Sequence, residues 1–392
     1  MQEPDVLILG AGAAGLMCAI EAGKRGRRVQ VVDHARKPGN KIRMAGGGRC
    51  NFTNYDLEAG HYLSANRHFA KSALSRYTQW DFLALVGRYA IPYHERDHGQ
   101  LFCDDNAKAI LEMLLAECRA AGVTLRMETS VEAVEREETG FRVRTDGGTV
   151  RCESLVVATG GLSIPTAGAS PLGYRIAEQF GIPVRPTRAG LVPFTLKPKD
   201  KARFAPLSGI AVPASVTAGG KTFTENLLFT HRGLSGPAVL QASSYWQPGE
   251  PVTIDWFPGT DLAAWLRRQR SETPKRQLKT VLAAQRPQRL VAALLDGASA
   301  GQVLADLSDA RIDAVADSLH RWQVVPEGTE GYRTAEVTVG GVDCDAVSSK
   351  TFAAKQVPGL YFIGEVLDVT GWLGGYNLQW AWSSGWCAGQ GV

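Results

Sequence analysis

Gly10-Ala-Gly12-Ala-Ala-Gly15 follows the apolar run Val6-Leu-Ile-Leu9 and opens an Ala-rich stretch. Glycines at this spacing permit a tight turn and let the N–H groups of a helix start approach a pyrophosphate, so the pattern predicts dinucleotide binding. A second apolar run, Val29 to Val32, ends at Asp33. Its carboxylate can accept from a ribose hydroxyl and would repel a 2′-phosphate, which favours a plain adenosine diphosphate half. NAD and FAD both fit that description.

The far end of the chain separates them. Gly364-Glu365-Val-Leu-Asp368 follows the run Leu360-Tyr-Phe-Ile, and Gly371-Trp-Leu-Gly374-Gly375-Tyr376-Asn377 opens a last helical stretch. FAD is long enough to need a second anchor, with Glu365 accepting from a ribityl hydroxyl. N–H groups near Gly375, Tyr376 and Asn377 could stabilise the anionic edge of a reduced flavin. Lys41-Ile-Arg43-Met-Ala-Gly46-Gly47-Gly48-Arg49-Cys50-Asn51 suits a loop around a phosphate or beside a flat ring. Ala158-Thr159-Gly160-Gly161 leaves a third apolar run at close range to such a cofactor. In the middle of the chain, His231 within Phe229-Thr-His-Arg-Gly-Leu-Ser235 is a candidate proton donor to a substrate. Cys50 could be a thiol near the flavin, although with no neighbouring cysteine a structural role is favoured. No metal site is expected.

The elements that must carry these residues are legible from periodicity. Val6 to Leu9, Ala13 to Lys24 and Val29 to Val32 read as a βαβ crossover. Strands are expected at 124–128, 140–145 and 154–158, and helices at 69–89 and 107–121. Short β-like pieces from about Leu191 predict a β-barrel or sandwich. Residues 262–320 are rich in Ala, Leu and Arg and predict helices. The strand-and-glycine texture returns after Ala335, so the first domain is expected to be discontinuous: 1–190 with 335–392, carrying a β-barrel insert (191–260 and 321–334) and a helical subdomain (261–320).

Among 392 residues there are 43 glycines, where a usual share of about 7% would give about 27. Most of the surplus falls in the segments named above. Seven scattered cysteines without a Cys-x-x-Cys argue for a reduced, cytoplasmic setting, and no membrane span is expected. The net charge is +4, yet Arg267 to Arg289 holds eight Lys or Arg and one acid, a segment of +7. It reads first as a solvated face and second as a nucleic-acid or anionic-lipid contact.

Residues 10–15, 41–54, 158–174, 229–237 and 338–379 together resemble the YhiN/BaiN-type FAD-dependent oxidoreductases, the aminoacetone oxidase-like flavoproteins. The resemblance implies a glutathione-reductase-like Rossmann domain of α/β class, interrupted by the insert. It also implies FAD contacts from Gly10, Gly12, Gly15, Asp33, Lys41, Gly46, Gly47, Gly48, Gly364, Glu365, Gly375, Asn377 and Leu378. Ala13, Ala14, Arg49, Cys50, Asn51, Val131, Thr159, Gly160, Gly161, Asp368 and Tyr376 complete the expected contacts. The expected function is hydride transfer between flavin and a small organic substrate, with NAD(P)H docking transiently or oxygen serving instead. A flavin-dependent RNA-modifying or RNA-binding protein is the alternative, and a redox-sensing regulator a third. Substrate and oligomeric state are not readable.

Overall fold

A computed structural model describes residues 3–392. The chain forms two compact units, one made of the chain up to Ala189 together with Glu336–Val392, the other of Gly190–Ala335.

In the first unit, Val6–Leu9, Val29–Val32 and Ser154–Val157 are buried at every position. Runs without alternation belong to parallel strands covered on both faces. They pair in parallel, flanked by Leu360–Phe362 on one side and Thr124–Arg126 on the other, in a five-stranded sheet. The register sets Leu9 beside both Val32 and Val157, and Val157 beside Phe362. Each of these residues is the last of its strand, so Gly10, Asp33, Ala158 and Ile363 follow at one carboxyl edge. Ligands of open parallel sheets bind beyond that edge. The first helix, Ala13–Lys24, runs back over the sheet and packs against the last helix, Tyr376–Gly389.

Two expectations change. The stretch 69–89 is two helices, Phe69–Arg76 and Gln79–Arg88. Thr78 ends the first register and starts the second through a capping box with Asp81, each side chain bonding the other's backbone N–H. The strand at 140–145 is the centre of a three-stranded antiparallel meander whose outer strands, Val131–Glu137 and Gly148–Cys152, were not anticipated. Their charged residues hide the strand pattern, and these pair across it: Arg142 with Glu135, and Arg144 with Glu132 at 3.1 Å.

The second unit holds a seven-stranded antiparallel sheet whose edge strands are Trp322–Val324 and Gly328–Thr329. Laid flat, seven strands would separate those edges by about 29 Å. The four steps from Val324 to Gly328 reach at most about 14 Å. The sheet is therefore strongly curled, in the manner of a barrel. Five helices between Leu262 and His320 lie in the same compact unit as this sheet. Among the described residues no helix is long and apolar enough to cross a membrane.

Candidate functional site

The carboxyl edge of the parallel sheet gathers five of the segments singled out above. The first helix begins at Gly12 with no side-chain cap and no acid in its first turn. Its leading N–H groups, with the helix dipole behind them, form a site for an anion. A Cβ built on Gly12 would meet no atom within 4 Å, so the protein itself does not require glycine there. A close-lying phosphate would.

Asp33 ends the neighbouring strand. Its Oδ2 accepts from Ala11 N–H at 2.7 Å and its Oδ1 from Ala35 N–H at 2.8 Å, which fixes the carboxylate beside the glycine turn. Each oxygen keeps a lone pair for a ribose hydroxyl.

Lys41 and Glu365 join the two anchoring segments. Lys41 Nζ lies 2.6 Å from Glu365 Oε2 and donates to Ser163 Oγ at 2.7 Å. Glu365 Oε1 accepts from Thr338 N–H at 3.0 Å and from the Ser163 hydroxyl at 3.1 Å, and Thr338 Oγ1 receives Leu162 N–H at 2.8 Å. Sequence reasoning missed Ser163 and Thr338. Isolated hydroxyl residues carry no spacing signal, and only the proximity of Ser163 to Gly160-Gly161 hinted at it.

The fourth feature is the start of the last helix. Gly375 has φ of +96°, and a Cβ there would run into the Thr53 carbonyl, so only glycine fits without displacement. With its carboxamide oriented to suit its neighbours, Asn51 accepts from Gly375 N–H at 3.1 Å and donates to Leu101 C=O at 3.1 Å. Asn377 accepts from Gly371 N–H at 2.8 Å and donates to the Gly371 carbonyl at 2.9 Å. No side chain caps this helix and no acid stands in its first turn. Trp380 Nε1 donates to Gly364 C=O at 3.0 Å and Trp382 Nε1 to Phe52 C=O at 2.9 Å, so buried indoles fasten both loops to the helix.

The other expected residues differ in burial and in partners. Cys50 is fully buried, and burial holds its thiol well above its ordinary range, which leaves it inert as a nucleophile. Asp368 is turned to Ala65, whose N–H it receives at 2.9 Å, and burial raises its pKa. Val131 packs on the main core at the start of the meander. Tyr376 is buried, its carbonyl accepting from Tyr62 hydroxyl at 2.9 Å, and Leu378 packs against the smaller core. Gly46, Gly47 and Arg49 are exposed on the loop before Asn51, and Gly48 is half-buried. His231 is exposed at the turn between Lys221–Phe229 and Gly233–Ser235 of the second unit.

Thr159 supplies a direct check on whether a cofactor fits. Its Oγ1 is buried without a hydrogen-bond partner, beside the carboxyl end of Ser154–Val157. An orphaned buried hydroxyl is costly in a finished protein and ordinary in a site lacking its ligand. With two uncapped helix starts and the open space at Gly12, it matches a long, doubly anionic dinucleotide. Fold and site together define a Rossmann-type FAD-binding oxidoreductase. The family described as HI0933-like protein Rossmann domain matches residues 4–391, and the chain belongs to it.

The chain is 57% identical to "Ribosomal RNA dihydrouridine synthase" of Escherichia coli (strain K12), covering 100% of this chain and 98% of that protein. It is 29% identical to "3-dehydro-bile acid delta(4,6)-reductase" of Clostridium scindens (strain ATCC 35704 / DSM 5676 / VPI 13733 / 19), over 98% of this chain and 97% of that one. The solved 3-ketosteroid-delta4-(5alpha)-dehydrogenase from Rhodococcus jostii RHA1 shares the fold, with a TM-score of 0.50 at 14% identity, over 99% and 97% of the two chains.

Proposed function

We propose that this chain reduces the C5=C6 bond of uridine in ribosomal RNA to dihydrouridine, with FAD bound in the first unit and a nicotinamide nucleotide as electron source. The observation that carries this reading is the 57% identity over the whole chain to a protein of that name. The chemistry agrees with it. The uracil C5=C6 bond is conjugated to a carbonyl, so a hydride adds at C6 and a proton at C5, and the bond is saturated without a leaving group. FAD, when bound, supplies the hydride. Lys41, Glu365 and Asp33 would hold its sugar and phosphate portions, and the first-turn N–H groups of Asn377 and Leu378, which have no acceptor within their helix, would offset charge gained on reduction.

A conjugated small molecule is the second reading, favoured by the likeness to the Clostridium reductase. The test incubates purified, flavin-loaded protein anaerobically with NADH or NADPH and ribosomal RNA from cells lacking the gene, then measures nucleosides by mass spectrometry. Dihydrouridine is the expected product. A flavin that is reduced and then reoxidised by a free enone, with no dihydrouridine formed, overturns the first reading in favour of the second.

A further inference from the structure

The basic stretch from Arg267 to Arg289 contains two kinds of cation. Arg267 pairs with Asp313 at 2.5 Å, and Arg270 pairs with Asp309 at 2.6 Å while donating to Leu307 C=O at 2.6 Å. Arg286 turns inward, giving its Nε hydrogen to Trp256 C=O at 2.6 Å with its guanidinium 4.7 Å from the Phe257 ring centre. These three hold the fold together. Lys275, Arg276, Lys279 and Arg289 are exposed, and no carboxylate oxygen lies within 4.0 Å of their charged nitrogens among the described residues.

The four stand on elements that are fixed relative to one another. Lys275 and Arg276 form the turn after Leu262–Glu272, Lys279 lies in Leu278–Leu282, and Arg289 begins Gln288–Leu294, which packs on that helix. The Arg276 carbonyl accepts Leu304 N–H at 2.9 Å and Gln277 bridges to Val303, so the turn is braced from behind. Arg203 donates to Ala293 C=O at 2.6 Å and ties the helix Pro198–Phe204, with exposed Lys199 and Lys201, to the same helical part. Exposed cations left without carboxylate partners on braced elements, beside well-paired arginines, suit a partner that is itself negative.

We infer that Lys275, Arg276, Lys279 and Arg289 form a docking surface for the phosphodiester backbone of the RNA substrate. The inference rests on the RNA reading above and goes beyond it by placing the contact on the helical part of the second unit, in residues with no part in holding the flavin. A membrane surface is the competing polyanion, but a peripheral membrane face sets large apolar side chains beside its cations. Among the described residues, the exposed large apolar ones, Met44, Trp80, Tyr89 and Tyr93, all lie in the other unit.

The test compares wild type with the fourfold variant Lys275→Glu, Arg276→Glu, Lys279→Glu and Arg289→Glu. Ribosomal RNA binding is followed by filter retention over a salt series, alongside binding to phosphatidylserine vesicles. The variant should keep its flavin content and its rate of flavin reduction by a nicotinamide nucleotide. It should bind RNA roughly 100-fold more weakly, and its log–log salt slope should be shallower by about 3, the loss of four phosphate contacts. Arg267→Gln with Arg270→Gln, which removes paired charges, should leave the RNA slope unchanged. Equal affinity and slope in wild type and fourfold variant overturn the assignment, as does vesicle binding that depends on the same four residues. Wild type that binds RNA through these residues and makes no dihydrouridine supports the surface while sinking the proposed reaction.

Discussion

Three carboxylates near the end of the parallel sheet do different work, and their immediate partners decide which. Asp33 and Glu365 are held by backbone N–H groups and by Lys41, with oxygens left to accept from a ligand. Asp368, three residues beyond Glu365, is instead a buried acid facing Ala65. Burial outweighs its hydrogen bond and raises its pKa. The raised value means that the native state binds the proton more tightly than the unfolded chain does. The resulting cost is absent below the unfolded pKa of about 4 and present in full above the folded one. Asp368→Asn, whose amide oxygen can still receive the Ala65 N–H, should therefore gain thermal stability relative to wild type at pH 7 and show little difference at pH 4, with its flavin retained. Flavin loss from this variant would support Asp368 as a cofactor contact.

At the scale of elements, two glycines at helix starts separate folding from binding. Gly375 is required by the protein: Gly375→Ala should destabilise it by about 1–3 kcal/mol through the left-handed backbone, with further loss from the clash at the Thr53 carbonyl. Gly12 is required by nothing in the protein, so Gly12→Ala should leave the denaturation midpoint of flavin-free protein near that of wild type and still lower the flavin-to-protein absorbance ratio. A Gly12→Ala protein that unfolds early without flavin would contradict the open space seen there. The glycine pattern made both positions visible in the sequence, because apolar runs ending in glycine or acid mark parallel strands and their turns. It could not rank them, since whether a Cβ meets a carbonyl or empty space depends on Thr53, a partner 322 residues away. The outer meander strands escaped notice for a related reason: Glu132, Glu135 and Glu137 look like surface loop until Arg142 and Arg144 stand opposite them.

For the whole molecule, the two compact units each carry their own core, so unfolding is expected to depart from a single cooperative step. All the expected flavin contacts lie in the unit that joins both ends of the chain. Calorimetry with added FAD should raise the transition of that unit by mass action and leave the other in place. A rise of both transitions together would show that they unfold as one. The return of the chain to its first domain was legible because the strand-and-glycine texture recurs after Ala335. The curl of the inserted sheet was not, because it follows from which strand ends lie close rather than from any one strand's composition.

That return has a consequence for how the protein is made. Strand Leu360–Phe362 completes one edge of the sheet begun by Val6–Leu9 and Ser154–Val157, and Tyr376–Gly389 supplies the helix that packs on Ala13–Lys24. On the ribosome, the glycine turn at Gly10 is synthesised long before Glu365, its partner segment, leaves the exit tunnel. The nascent amino-terminal half must wait as an incomplete sheet with its first helix half covered, while the intervening Gly190–Ala335 unit, contiguous in sequence, can close on itself. A flavin held by both anchoring segments is therefore expected to bind only after Glu365 and Tyr376 have emerged, and a chain stalled before Tyr376 should lack it.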